Sequence, residues 1–78
     1  MKGFLHPLAD VYVFVKDQPG MIAKMTSVLA KAKINIKDIE LMKVREGRGG
    51  TFRLAFESKE LSARAVVILK RSGFEISE

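Results

Sequence analysis

The 78-residue chain contains no cysteine. That absence removes disulfide staples, zinc–thiolate sites and thiol nucleophiles together. A single histidine, His6, leaves no His-paired metal site that one chain could build. No apolar run approaches the roughly 20 residues that cross a bilayer, so no membrane role is expected. Met1–Pro7 carries Lys2 but lacks the roughly 7–15-residue apolar stretch of a secretory signal. Together with the missing cysteine, this points to a cytoplasmic protein. No internal repeat is present. The glycines at 47, 49 and 50 sit in a turn between two strands and do not open a helix, so they form no dinucleotide fingerprint. The sequence offers no catalytic residues, no metal ligands and no cofactor site.

What is present fits one folded domain. Apolar residues make up 47% and charged residues 29% of the chain, which excludes a disordered tail. A domain of this size buries only about 60% of its unfolded surface, so its core is thin. Residues 1–9 read as a lead-in or linker and residues 10–78 as the domain. The net charge is +5 and the pI about 9.8, which raises a nucleic-acid reading. The nine acids are interspersed among the fourteen bases, however, and no block of five or six like charges occurs, so ordinary surface solvation accounts for the pattern.

The element order follows from periodicity and punctuation. Asp10–Lys16 alternates Val11, Val13 and Val15 with Tyr12 and Phe14, a strand that is apolar on both faces. Asp17-Gln18-Pro19-Gly20 breaks it. Asp17 is the expected helix cap, and Pro19 suits a first helical turn. Met21, Ile22, Met25, Val28, Leu29 and Ala32 then fall on one helical stripe. Ile34–Val44 reads as a second strand whose parity slips, with a bulge expected near Lys37-Asp38. Arg45–Gly50 is a glycine-rich turn, and Thr51–Glu57 a third strand with Phe52, Leu54 and Phe56 on one face. Ser58 caps a second helix that runs to Ser72, with Leu61, Ala65, Ile68 and Leu69 on its stripe and Gly73 as its stop. Phe74 and Ile76 alternate in a short last strand. The methionines Met25 and Met42 read as core filler. The order is β-α-β-β-α-β, an α+β ferredoxin-like fold with a four-stranded antiparallel sheet and both helices on one face.

That fold hosts many functions, so function must come from sites. An RNA-recognition module shares the strand order, and Val11-Tyr12-Val13 and Arg48-Gly49-Gly50-Thr51-Phe52 partly match its motifs. The match then breaks: Gly50 and Ala55 stand where aromatics belong, and Phe52 and Phe56 are better explained as core. A metallochaperone needs a Cys-x-x-Cys that is absent. An acyl-phosphate hydrolase needs an arginine in the 17–20 loop, and there is none. A small-molecule sensor would use the turn at Gly20, where the N–H groups of Gly20, Met21 and Ile22 sit at the positive end of a helix. Asn35 offers both a donor and an acceptor, which suits a zwitterion. The plainer reading is that Asp17 caps a helix and Asn35 makes a turn.

Val13-x-Val15-x-Asp17-x-Pro19-Gly20, an apolar helix ending at Lys33, and Ile34-Asn35-Ile36-x-x-Ile39 together resemble the ACT domain family of amino-acid-responsive regulatory modules. The likeness spans about Asp10–Ile76. Within it, Ile34–Phe56 looks like the C-terminal ACT domain of some bacterial prephenate dehydrogenases, and the Lys2-Gly3 lead-in resembles the linker before that domain. The resemblance implies a non-catalytic domain that senses an amino acid, with tyrosine the end product of that pathway. It implies pairing of two domains edge to edge into one eight-stranded sheet, with ligands at the junction. It also implies a parent chain whose NAD-dependent dehydrogenase part lies elsewhere. The family's ligand positions carry over to Asp17, Pro19, Gly20 and Met21, with Ile22 beside them, and to Asn35 and Ile36. The family usually has glycine where Lys33 stands. Finally, the apolar open face of the first strand implies a covering partner, either a second copy or the parent's catalytic domain.

Overall fold

The computed structural model describes residues 8–77. His6 and the Lys2-Gly3 lead-in lie outside them. The order is β1 (Ala9–Lys16), α1 (Met21–Lys31), β2 (Asp38–Arg45), β3 (Gly49–Phe56), α2 (Lys59–Arg71) and β4 (Glu75–Ser77). The four strands form one antiparallel sheet in the order β2-β3-β1-β4. This is the expected ferredoxin-like βαββαβ arrangement.

The alternation of β1 determines which face is covered. Val11, Val13 and Val15 are buried, and they join Met25 and Leu29 of α1, Ala65 and Leu69 of α2, and Leu54 and Phe56 of β3 in the core. Tyr12 and Phe14 point to the opposite, open face and are half-buried. Phe52 pairs with Val13 across the sheet, so it lies on the helix side and packs against the core. The aromatics of β3 therefore serve the core, and none stands on the open face where a base would stack.

The two helices end alike. In α1 the Lys33 N–H donates to Ala30 O at 2.9 Å and the Ile34 N–H to Leu29 O at 3.0 Å. In α2 the Gly73 N–H donates to Lys70 O at 3.1 Å and the Phe74 N–H to Leu69 O at 2.9 Å. Both are Schellman endings, closed by a buried apolar residue after a left-handed one. Ser58 caps α2 as expected, its Oγ accepting from the Leu61 N–H at 3.1 Å.

Four expectations are corrected here. The second strand begins at Asp38 and not at Ile34, because Ile34 is held against the end of α1. The bulge lies at Met42, between the pairs Leu41↔Phe52 and Lys43↔Thr51. This extra residue leaves Met42 48% exposed, so it is not core filler. Asp17 does not cap α1. The N-cap is Gly20, at φ 83°, with no side-chain cap bond. No helix among the described residues is long and apolar enough to cross a membrane.

Candidate functional site

The β1–α1 turn and the β2–β3 hairpin meet at one end of the sheet. β1 ends at Lys16 opposite Gly49, and Gly49 is opposite Arg45, the last residue of β2. The Asp17 N–H donates to the Arg48 carbonyl at 2.9 Å and ties the turn to the hairpin. This backbone bond is the work the position does here.

Between turn and hairpin lies a cavity of about 280 Å³. Val15, Ile22, Leu41, Val44 and Phe52 give it an apolar lining, and Asp17, Gln18, Arg45 and Glu46 supply polar groups. Its floor depends on two glycines. A Cβ on Gly49, at φ 145°, would overlap the Val15 carbonyl oxygen, and one on Gly50 would come within 2.9 Å of both Leu41 Cδ1 and the Lys43 carbonyl oxygen. β3 can approach β1 at Gly49 and β2 at Gly50 this closely only without side chains at those positions.

The start of α1 opens beside this cavity. The first helical bond runs from the Lys24 N–H to Gly20 O at 2.8 Å. The N–H groups of Ile22 and Ala23 precede it and so have no partner within the helix. Met21 differs from expectation: its N–H donates to Gln18 O at 3.3 Å, and its side chain packs against the core. Ile22 also differs. It leaves the core stripe and is 51% exposed. The arrangement suits a zwitterion with an apolar side chain. Helix-start donors and the dipole attract a carboxylate, Asp17 and Glu46 can accept from an ammonium, and the lining accepts the rest.

The predicted site residues separate into two groups. Asp17 and Ile22 line the cavity, Pro19 and Gly20 form the exposed turn next to it, and Met21 turns inward. Asn35 is exposed and Ile36 packs on the core, both just before β2. That is the far end of the strand, where Asp38 pairs with Ala55 and Ala55 with Asp10. A strand of this length places them about 20 Å from the turn. One chain therefore does not bring the two groups together.

The free edge bears on this. α1 packs on β1 and α2, and α2 on β1, β3 and β4, so no helix covers β2. Its helix-side residues Ile39, Leu41 and Val44 are 44%, 50% and 64% exposed. Sequence reasoning missed Leu41, Val44, Phe52 and Gly49 as cavity residues. Leu41 and Val44 are three apart, and only the Met42 bulge puts them on one face.

On the open face, Arg53 lies among three carboxylates. Its Nη2 donates to Asp38 Oδ2 at 2.6 Å, its Nε to Glu40 Oε1 at 3.1 Å and its Nη1 to Asp10 Oδ1 at 3.3 Å. The hydrogen bond from Arg53 lowers the pKa of Asp38, and the same bonds raise that of Arg53.

Comparison with known proteins places the chain among relatives. The sequence model of one family, described as ACT domain, matches residues 9–69. Over 64 residues, 82% of this chain, the sequence is 38% identical to a prephenate dehydrogenase of Bacillus subtilis (strain 168). The chain spans only 17% of the length of that relative. Among solved structures, the ACT domain of prephenate dehydrogenase from Bacillus anthracis superposes with a TM-score of 0.78 at 32% identity, covering 88% of this chain and 100% of that one. The regulatory subunit of aspartate kinase from Thermus flavus superposes with a TM-score of 0.71, covering 91% of this chain and 51% of that one. At 20% identity, that likeness shows the fold alone.

Proposed function

The chain belongs to the ACT domain family, as a regulatory domain related to that of prephenate dehydrogenase, and on that basis we propose that it binds an amino acid at a junction between two copies. The ligand's carboxylate lies at the start of α1 and its side chain enters the cavity bounded by Ile22, Leu41, Val44 and Phe52. The carrying observation is the uncapped α1 start beside an apolar cavity that borders a bare sheet edge.

Edge pairing supplies what one chain lacks. If β2 of one copy runs antiparallel to β2 of another, the two four-stranded sheets join. The start of one β2 then lies beside the end of the other. Asn35 and Ile36 of the partner copy approach the Asp17–Ile22 turn, and Ile39, Leu41 and Val44 lose their exposure. A ligand touching both copies favours the paired state by its differential affinity.

Tyrosine is the amino acid we assign, from the likeness to prephenate dehydrogenases. The domain then serves feedback control of a cytoplasmic, NAD-dependent parent enzyme whose catalytic part lies outside this chain. Its aromatic ring suits the apolar lining. The test is calorimetric titration of the chain with each amino acid. The reading expects saturable heat with tyrosine or a near analogue, accompanied by an increase in dimer. Silence with all amino acids, alongside a stable dimer, would leave a pairing module without ligand. Binding of single-stranded RNA with a steep salt slope would instead support a nucleic-acid role.

A further inference from the structure

The open face of the sheet carries opposite charge at its two ends. At the Asp10 end, Asp10, Asp38 and Glu40 surround the single guanidinium of Arg53. Three carboxylates against one cation leave a net formal charge of −2. At the other end, a shallow concavity is lined by Phe14, Met42, Thr51, Lys43, Arg45 and Arg48. Glu75 borders it as well, so three cations against one carboxylate leave +2. Between the two ends lie the half-buried rings of Tyr12 and Phe14. Neither ring belongs to the core or lines the cavity beside α1.

We infer that this face packs on the same face of a second copy, about a two-fold axis that runs across the strands. That axis reverses strand direction and lays the acidic end of each sheet over the basic end of the other. An axis along the strands would set acid on acid and base on base, so the charge pattern selects the first. Tyr12 and Phe14 lie on either side of Val13, midway between Asp10 and Lys16, so the ring of Tyr12 in each copy meets the ring of Phe14 in the other. The contact is isologous, and it closes.

Area sets the order of assembly. Four strands about 4.8 Å apart and at most eight residues long present roughly 500 Å² in plan. A stable interface takes about 800 Å² from each partner. One sheet face falls short, and two faces joined at their β2 edges exceed it. The face contact therefore adds to the edge pairing proposed above and rests on it. The product is a dimer of dimers, held by charge and by four pairs of rings.

Sedimentation velocity on the 78-residue chain tests this, with a salt series. The expected result is a tetramer at low salt. Lys43→Glu with Arg45→Glu reverses the basic end and converts tetramer to dimer, weakening the second association at least tenfold. Salt does the same to the unmodified chain, as the screening length falls from about 10 Å at 0.1 M to about 3 Å at 1 M. If the double variant misfolds by circular dichroism, the salt series alone decides. A tetramer indifferent to salt and to charge reversal overturns the face contact. A chain that stops at dimer also overturns it and leaves the edge pairing standing. A monomer under all conditions defeats both.

Discussion

Lys33 occupies in α1 the position that Gly73 occupies in α2. Each follows the helix by two residues, each donates its N–H to the carbonyl three residues back, and each has a left-handed backbone, φ 61° at Lys33 and 95° at Gly73. One molecule thus contains the same helix ending with and without a side-chain penalty. Lysine lies in this region at a cost of about 1 kcal/mol that glycine avoids.

Lys33→Gly is accordingly expected to stabilise the fold by about 1 kcal/mol. Gly73→Lys should destabilise it by about the same amount, since an added Cβ there meets nothing within 4 Å. Urea denaturation of the two variants reads both values. Equal stability of Lys33→Gly and the unmodified chain would contradict the assignment of strain to Lys33.

The hairpin glycines should behave unequally. Gly47 has φ 77° and open space around its Cβ position, whereas a Cβ on Gly49 collides with the backbone of β1. Gly47→Ala is expected to cost about 1 kcal/mol from backbone strain alone. Gly49→Ala should cost more than about 2 kcal/mol, because β3 must move from β1 and the cavity floor with it. Thermal unfolding separates them, and similar losses at the two positions would be the contrary result.

Acid should weaken the open-face cluster in a defined direction. Asp38 has a pKa lowered below 3.8, chiefly by its hydrogen bond from Arg53. A carboxyl group that is more acidic when folded contributes stability above its unfolded pKa, and that contribution disappears as pH falls through the folded value. Stability is therefore expected to fall below about pH 4, and Asp38→Asn should flatten that part of the profile. Because Asp38 is exposed, the effect should shrink in high salt. Denaturant midpoints between pH 2 and pH 6 measure it.

Much of this architecture is legible in the residues. Val11, Val13 and Val15 announce a buried strand face, and Ser58 and Gly73 mark both ends of α2. The parts that are not legible depend on contacts distant in sequence. Ile22 fits the apolar stripe of α1 by spacing, yet α1 packs on β1 and α2 and leaves Ile22 at its rim. Ile34 looks like strand, but the Schellman ending claims its N–H. The Met42 bulge has no turn residue to signal it. The site itself is half legible: the Asp17–Ile22 turn shows in the sequence, while its wall at Leu41, Val44 and Phe52 depends on hairpin register. Asn35 lies at the far end of β2 from that turn, so in the proposed pairing only a second copy brings the two together, a relationship that strand spacing within one chain does not display.

The central claim is that each amino-acid site is shared between two copies. Mixing two defective chains tests it most directly by calorimetry. Ile22→Glu spoils the cavity wall, and Asn35→Ala removes the partner's amide. Each variant alone should bind the amino acid at least tenfold more weakly than the unmodified chain. A two-fold heterodimer of the two has one spoiled site and one intact site, so an equal, randomly exchanged mixture should regain full-affinity binding at about one ligand per four chains. Full affinity in Asn35→Ala alone, or a mixture as weak as its components, would contradict a shared site.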